Sequence, residues 1–239
     1  MSQNAHWIYG THAVEAILKN KQRRVVKFCV LREDTELANI RQDLKPTVVD
    51  KNFFYRTFGR DALHQGCAVL VHDVEKLFIE DVVAIEGDSP VIVLDQVTDP
   101  QNIGAILRSC AVFGARALIV QDSGSPENTS VVAKTASGAL EIVPIVRVAN
   151  ISRTIQFLKD NMFWCVGLSE YGAKVLSEMD LKGRFAFVIG SEGKGMRRLT
   201  MESCDVLAKL PSSERFSTLN AAQACTVTLY ESFRQRKLA

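Results

Sequence analysis

Residues 91–109 read VIVLDQVTDPQNIGAILRS, and the change of pattern inside this stretch decides the fold class. VIVLDQV is an unbroken apolar run of strand length, lacking the alternation of a half-exposed strand, so both of its faces are expected to be buried. Pro100 and Asn102 then mark the start of a helix, whose free N–H groups favour an anion. Ile103, Ile106, Leu107, Cys110 and Phe113 fall along one helical stripe, which leaves Arg108 pointing away from the core. Gly104 costs about 1 kcal/mol against Ala inside a helix. It stands four residues before Arg108 and Ala105 three before, so the guanidinium is uncrowded on its own face and has room for a substrate. Taken alone, the stretch is equally an ordinary exposed Arg beside a tolerated Gly.

The same alternation continues towards the C-terminus. Strands are expected at ALIVQD, VPIVRV, FWCVGLSE, RFAFVIGSE and VLAKLP, with helices between them and a long final helix from about Thr218. Continuous apolar strands separated by helical segments predict an α/β fold with a mostly parallel sheet covered on both faces. Ligands of such sheets bind beyond the carboxyl ends of the strands. Upstream, IYGTHAVEAILKN, ELANIRQDLK and NFFYRTFG read as helices, and VVKFCVLRE, PTVVD and CAVLVHDV as strands, a smaller α/β unit over residues 1–73. Residues 74–89 are acidic and broken in periodicity, and they are expected to link it to a larger domain over 90–239.

The totals set limits. The chain has 239 residues, 47% hydrophobic and 23% charged, enough for one large or two smaller globular domains. No 18-residue stretch is free of charged or strongly polar residues and the start has no signal-peptide pattern, so no membrane partner and a cytoplasmic location are expected. The six cysteines are never closer than 21 residues apart, which excludes paired CxxC ligands and predicts buried, reduced thiols without a metal. All four histidines, His6, His12, His64 and His72, precede residue 73. A Ser-His-Asp hydrolase or a His-ligated metal confined to the larger domain is thereby excluded. Residues 1–72 hold 11 Lys and Arg against 7 Asp and Glu, net +4, and the remainder 18 against 20. The cluster Lys19, Lys21, Arg23, Arg24 and Lys27 suits phosphates, or equally a solvated helix end.

Two further stretches carry chemistry. VIGSEGKGM, residues 188–196, is a glycine-rich turn at a strand's carboxyl end. It is no Walker A loop, because Met196 and Arg197 follow Gly195 where Lys and Ser/Thr are needed, and Arg198 stands where a dinucleotide fingerprint needs its third glycine. What remains is bare backbone open to a flat or polar ligand, with Glu192 inside it. LPSSERFSTLNAAQACTVTLYE, from Leu210, enters a helix with Thr218 and Asn220 in its first turn and small residues behind them, permitting close backbone approach.

In this order and at these spacings, the three stretches resemble the three motifs of the SpoU branch of the SPOUT RNA 2′-O-methyltransferases. IYGTHAVEAIL, ALHQG, KTASGALEIVPIVRV, GSEGKGMRRLT and ESFRQR extend the likeness over nearly the whole chain. The resemblance implies a parallel α/β domain whose C-terminal segment threads a trefoil knot and binds S-adenosylmethionine. It also implies a homodimer whose sites draw on both chains, and an N-terminal domain like ribosomal protein L30 that helps hold RNA. The implied activity is methyl transfer to the ribose 2′-hydroxyl of a guanosine in 23S ribosomal RNA. By the same resemblance, the catalytic positions are Arg108, Asn102, Glu192, Thr218 and Asn220, and those against the cofactor are Gly190, Gly195, Leu210 and Leu219. Two residues depart from the family's third motif: Ser212 stands for Met, and Glu214 for Gly. They keep open two other readings, tRNA methylation by the same chemistry and a non-catalytic RNA-binding or ribosome-assembly factor with a decayed motif.

Overall fold

A computed structural model describes residues 5–33, 35–72, 77–123, 132, 135–213, 215 and 218–237. The described residues form two compact units, those of Met1–Glu75 with Asn128–Ile142 and those of Lys76–Glu127 with Val143–Ala239.

The first unit is built on strand β1 (Ala5–Tyr9), helix α1 (Thr11–Lys19), strands β2 (Val25–Val30) and β3 (Thr47–Val48), helix α2 (Lys51–Phe58) and strand β4 (Cys67–His72). Its sheet runs β1-β4-β2-β3, with β4 antiparallel to both neighbours and β3 parallel to β2. Val14, Ile17 and Leu18 of α1 pack on Phe28, Val30, Val69 and Val71, all buried. Each such side chain contributes about 1.5–3 kcal/mol when taken out of water.

Two expectations fail here. The pattern from Ile8 reads as helix, yet Ile8 and Tyr9 belong to β1, and Gly10 at φ 97° turns the chain into α1. The aromatic residues explain the strand: Trp7 meets Phe53 and Phe58 edge-on, and Tyr9 meets Phe58, which anchors β1 against α2. Residues 36–45 also read as helix, but only a 3-10 turn forms, Glu36–Asn39. Leu37 is the one buried side chain in that turn, and Arg41 donates to the Arg23 and Asn20 carbonyls, fixing an irregular path.

Residues 128–142 add to this unit from far along the sequence. Arg23 and Glu141 face each other at 3.4 Å with side chains 5% and 3% exposed, and Asn20 Nδ2 donates to the same carboxylate. Burial raises the Glu141 carboxyl, and Arg23 opposes that rise. Gly138, at φ 88°, lies so close to α1 that a Cβ there would stand 2.5 Å from that of Ala16.

The second unit opens with helix α3 (Ile79–Ala84), inside the expected linker region 74–89; residues 73–76 lie outside the described residues. Its sheet has β5 (Val91–Asp95), β6 (Ala117–Gln121), β7 (Ile145–Val148), β8 (Trp164–Leu168), β9 (Lys174–Val175), β10 (Phe185–Gly190) and β11 (Val206–Lys209). The order is β7-β6-β5-β10-β8-β11-β9, and every neighbouring pair is parallel. The α/β expectation with a mostly parallel sheet is borne out, and all six expected strands are present. Val91, Val93, Ile119, Ala186 and Val188 share one face with Ile151, Ile155 and Leu158 of helix α5 (Ile151–Asp160). Their strand neighbours Ile92, Leu94, Leu118 and Phe187 are equally buried, as unbroken apolar strands require. Helix α4 (Pro100–Phe113) contacts β6, the final helix α7 (Ala221–Lys237) contacts β10, and the two helices pack on each other. A short helix α6 (Arg198–Ser203) precedes β11.

All six cysteines are free and five are buried. Burial, reinforced by the Asp205 carboxylate, pushes the Cys165 thiol up to about 12, so it stays protonated and inert at neutral pH.

Candidate active site

Because all seven strands are parallel, the turns that follow them emerge along one edge. Neighbouring strands stand ~4.8 Å apart. The end of β8 therefore lies between those of β10 and β11, which are about 10 Å apart. That edge gathers the start of α4, the glycine loop after β10 and the segment after β11.

At the end of β5, Asp95 is fully buried and accepts from the Arg197 backbone N–H and Nε, each at 2.8 Å, with the second guanidinium nitrogen at 2.6 Å. Arg197 also donates to Gln121 Oε1 at the end of β6. Arg197 thus ties the glycine loop to two strand ends, a link that the sequence reading did not find. Gln96, next in the chain, sits at φ 61°, in the left-handed region that strains a non-glycine residue.

Asp99 caps α4 by accepting from the Gln101 N–H, and Pro100 occupies its first turn. Asn102 is half-buried in that turn. Arg108, six residues on and about 9 Å further along the axis, is exposed, as the stripe predicts. Gly104, four residues before Arg108, is buried.

The loop after Gly190 closes on itself. Ser191 and Gly195 pair as an isolated bridge, with Gly195 N donating to Ser191 O at 2.8 Å. A Cβ on Gly190 would stand 2.2 Å from the Gly195 carbonyl carbon, so only glycine admits this closure. Gly193 and Gly195 take φ 78° and 68°, and among the described residues nothing lies within 4 Å of where their Cβ atoms would be. The loop therefore presents open, bare backbone, with Glu192 exposed at its tip.

Beyond β11, Leu210 is half-buried, Thr218 is exposed and Leu219 is 42% exposed. Asn220 caps α7: its Oδ1 accepts from Gln223 N at 2.8 Å while Gln223 Oε1 accepts from Asn220 N. Ser212 is exposed, and Glu214 lies outside the described residues. Fold topology brings Asn102, Gly190, Glu192, Gly195, Leu210, Thr218, Leu219 and Asn220 to one edge. Arg108 stands further along α4, and among the described residues no hydrogen bond joins it to Asn102 or Glu192. Also among the described residues, no group of three or more His, Cys, Asp or Glu could hold a metal ion, and no helix is long and apolar enough to cross a membrane.

The fold is shared with solved SpoU methyltransferases. AviRb from Streptomyces viridochromogenes, a SpoU methyltransferase crystallised with AdoMet, superposes with a TM-score of 0.82 at 22% identity, over 97% of this chain and 90% of that one. A TrmH/SpoU tRNA modifying enzyme from A. aeolicus matches 67% of this chain and 81% of its own, with a TM-score of 0.57 at 23% identity. In sequence, the SpoU rRNA Methylase family matches residues 89–230, and an RNA 2′-O ribose methyltransferase substrate binding domain matches 7–77. The 23S rRNA (guanosine-2′-O-)-methyltransferase RlmB of Coxiella burnetii is 38% identical over 96% of both chains, and that of Vibrio cholerae 39% identical, also over 96% of both. The chain belongs to the SpoU rRNA methylase family.

Proposed function

We propose that this chain transfers the methyl group of S-adenosylmethionine to the ribose 2′-hydroxyl of a guanosine in 23S ribosomal RNA, as a homodimer in the cytoplasm. Similarity to RlmB enzymes over 96% of both chains carries the choice of RNA and nucleotide. The site fits the cofactor: bare backbone at Gly193 offers room and hydrogen-bonding groups, Gly195, whose N–H and carbonyl pair with Ser191, offers room beside its Cα, and half-exposed Leu219 offers apolar surface for a flat ring. Gly190, Gly195, Leu210 and Leu219 are the residues that would hold it. Bound there, S-adenosylmethionine supplies a methyl group activated on a sulfonium.

The chain's task is to turn a weakly acidic hydroxyl into a nucleophile. Arg108 remains a cation, because a guanidinium is effectively never deprotonated in a protein. It stabilises the negative charge growing on the 2′-oxygen and grips a neighbouring phosphate. Asn102 and Glu192 orient the ribose, and Thr218, exposed at the entry to α7, passes the released proton towards solvent. Asn220 holds that entry in place through its cap.

Helix faces support the dimer. Val112 of α4 is 64% exposed, and Val227 and Tyr230 of α7 are 43% and 52% exposed, on two helices joined by Ser109 to Thr226 at 2.7 Å and by Phe113 against Tyr230. Exposed apolar side chains on two packed helices suit a face covered by a second copy, and Arg108 lies on the same α4 helix. The knot reading rests on the likeness to the SpoU family, supported by the shared fold of the solved SpoU methyltransferases.

Mapping 2′-O-methyl marks in ribosomal and transfer RNA from cells with and without this protein tests the reading. Loss of a single methylated guanosine in 23S rRNA is the expected result. An unchanged map, or loss confined to tRNA, contradicts it.

A further inference from the structure

The sequence offers the basic cluster at Lys19–Lys27 as the RNA contact of the first unit, but the fold spends much of it. Arg23 is buried against Glu141, Lys19 Nζ is held by Glu15 at 2.6 Å, and Lys27 sits 5.7 Å over the Phe53 ring. Cationic surface appears elsewhere, on the outer side of α2.

This helix is firmly mounted. Asp50 caps it by accepting from Phe53 N, and buried Phe54 stacks on His64 with ring centroids 4.2 Å apart. Phe53 and Phe58 pack against Trp7. With its apolar stripe turned inward, the helix presents Asn52, Tyr55 and Arg56 outward, and the turn at Gly59, φ 85°, brings Arg60 alongside. These four residues line an open depression of about 410 Å³. Tyr55 is 42% exposed. Arg56 Nε donates to the Asn52 carbonyl, which steadies the side chain, and among the described residues no carboxylate pairs with the Arg56 or Arg60 guanidinium. Residues 51–60, KNFFYRTFGR, contain three cations and no carboxylate.

An exposed aromatic ring on a helix, in one depression with two guanidiniums that meet no carboxylate among the described residues, has the chemistry of single-strand recognition: a π-face for a base and cations for the neighbouring phosphates. We propose that this depression binds an unpaired nucleotide of the RNA substrate, its base on the Tyr55 ring, its flanking phosphates on Arg56 and Arg60, and the Asn52 carboxamide at the base edge. The identity of the occupant rests on the reading of the chain as an RNA methyltransferase; the site itself lies in the first unit, among residues that play no part in the transfer.

The test uses the full-length protein and a fluorescein-labelled 12-nucleotide oligo(U), with a 12-base-pair RNA duplex alongside, followed by fluorescence anisotropy across a salt series. Tyr55→Ala weakens single-strand binding about five- to hundredfold, the range of one lost stack, while Tyr55→Phe binds as the parent does. Arg56→Ala with Arg60→Ala lowers the slope of log K against log salt by about 1.4, the amount for two phosphates on a single strand. Parent-like affinity and slope in the Ala variants, or duplex bound as tightly as single strand, overturns the proposal. Failure of the methyltransferase reading shows separately, as no label transferred from S-adenosylmethionine by the parent protein, and leaves these binding results standing.

Discussion

Asp95 lies in the interior and, among the described residues, is ion-paired with Arg197. Its carboxylate is fully buried, and Arg197 meets it with a backbone N–H and a guanidinium whose side chain is 39% exposed. Removing one partner of a buried pair costs roughly 3–5 kcal/mol. Because Arg197 keeps access to solvent, Asp95→Asn is expected to cost about 2–3 kcal/mol, a fall of about 4–12 °C in Tm for a unit of this size. Calorimetric melting checks the stability, and titration with S-adenosylmethionine checks the site, where a loosened loop should bind several-fold more weakly. An unchanged melt and affinity would make the pair a surface decoration of the fold. No sequence pattern marks this contact, because its two residues lie 102 positions apart and only the sheet order brings them together.

At the scale of elements, legibility followed periodicity. The six long strands of the second unit read directly as buried apolar runs, since helices cover both faces of the sheet. Lys174–Val175 is only two residues long and carries no such signal. In the first unit, β1 was hidden because its apolar residues run without a gap into α1, and only Gly10 separates strand from helix. Residues 36–45 held enough helix-forming side chains to mislead, though too few of them bury to hold a helix on the core. The glycine loop was legible as open backbone, but its closure was not: the Ser191–Gly195 bridge and the tight approach at Gly190 are properties of three dimensions. Gly190→Ala forces a Cβ to within 2.2 Å of the Gly195 carbonyl carbon, so the loop must open. Cofactor affinity should fall at least tenfold by calorimetry while the β5 to β8 sheet core persists in circular dichroism; retained affinity would mean that the closed loop is not the cofactor's cradle.

At the scale of the whole molecule, the two exposed helix faces of the second unit and the catalytic edge belong to one account. Tyr230→Glu with Val227→Glu places charge on the apolar patch of α7, and sedimentation should then show monomers with lost methyl transfer; an intact, active dimer would move the interface elsewhere. In the proposed reaction a permanent cation on α4, Arg108, drives transfer to a ribose oxygen, in place of a metal or a general base. Its most direct test is the single-turnover rate of methyl transfer from labelled S-adenosylmethionine to a 23S rRNA fragment, comparing the parent protein with Arg108→Ala. Loss of about 3–4 kcal/mol of charge stabilisation predicts a rate at least a hundredfold lower, with cofactor affinity kept and the product a 2′-O-methylguanosine. A variant that turns over like the parent, or a parent that places the methyl on a base atom, contradicts the account.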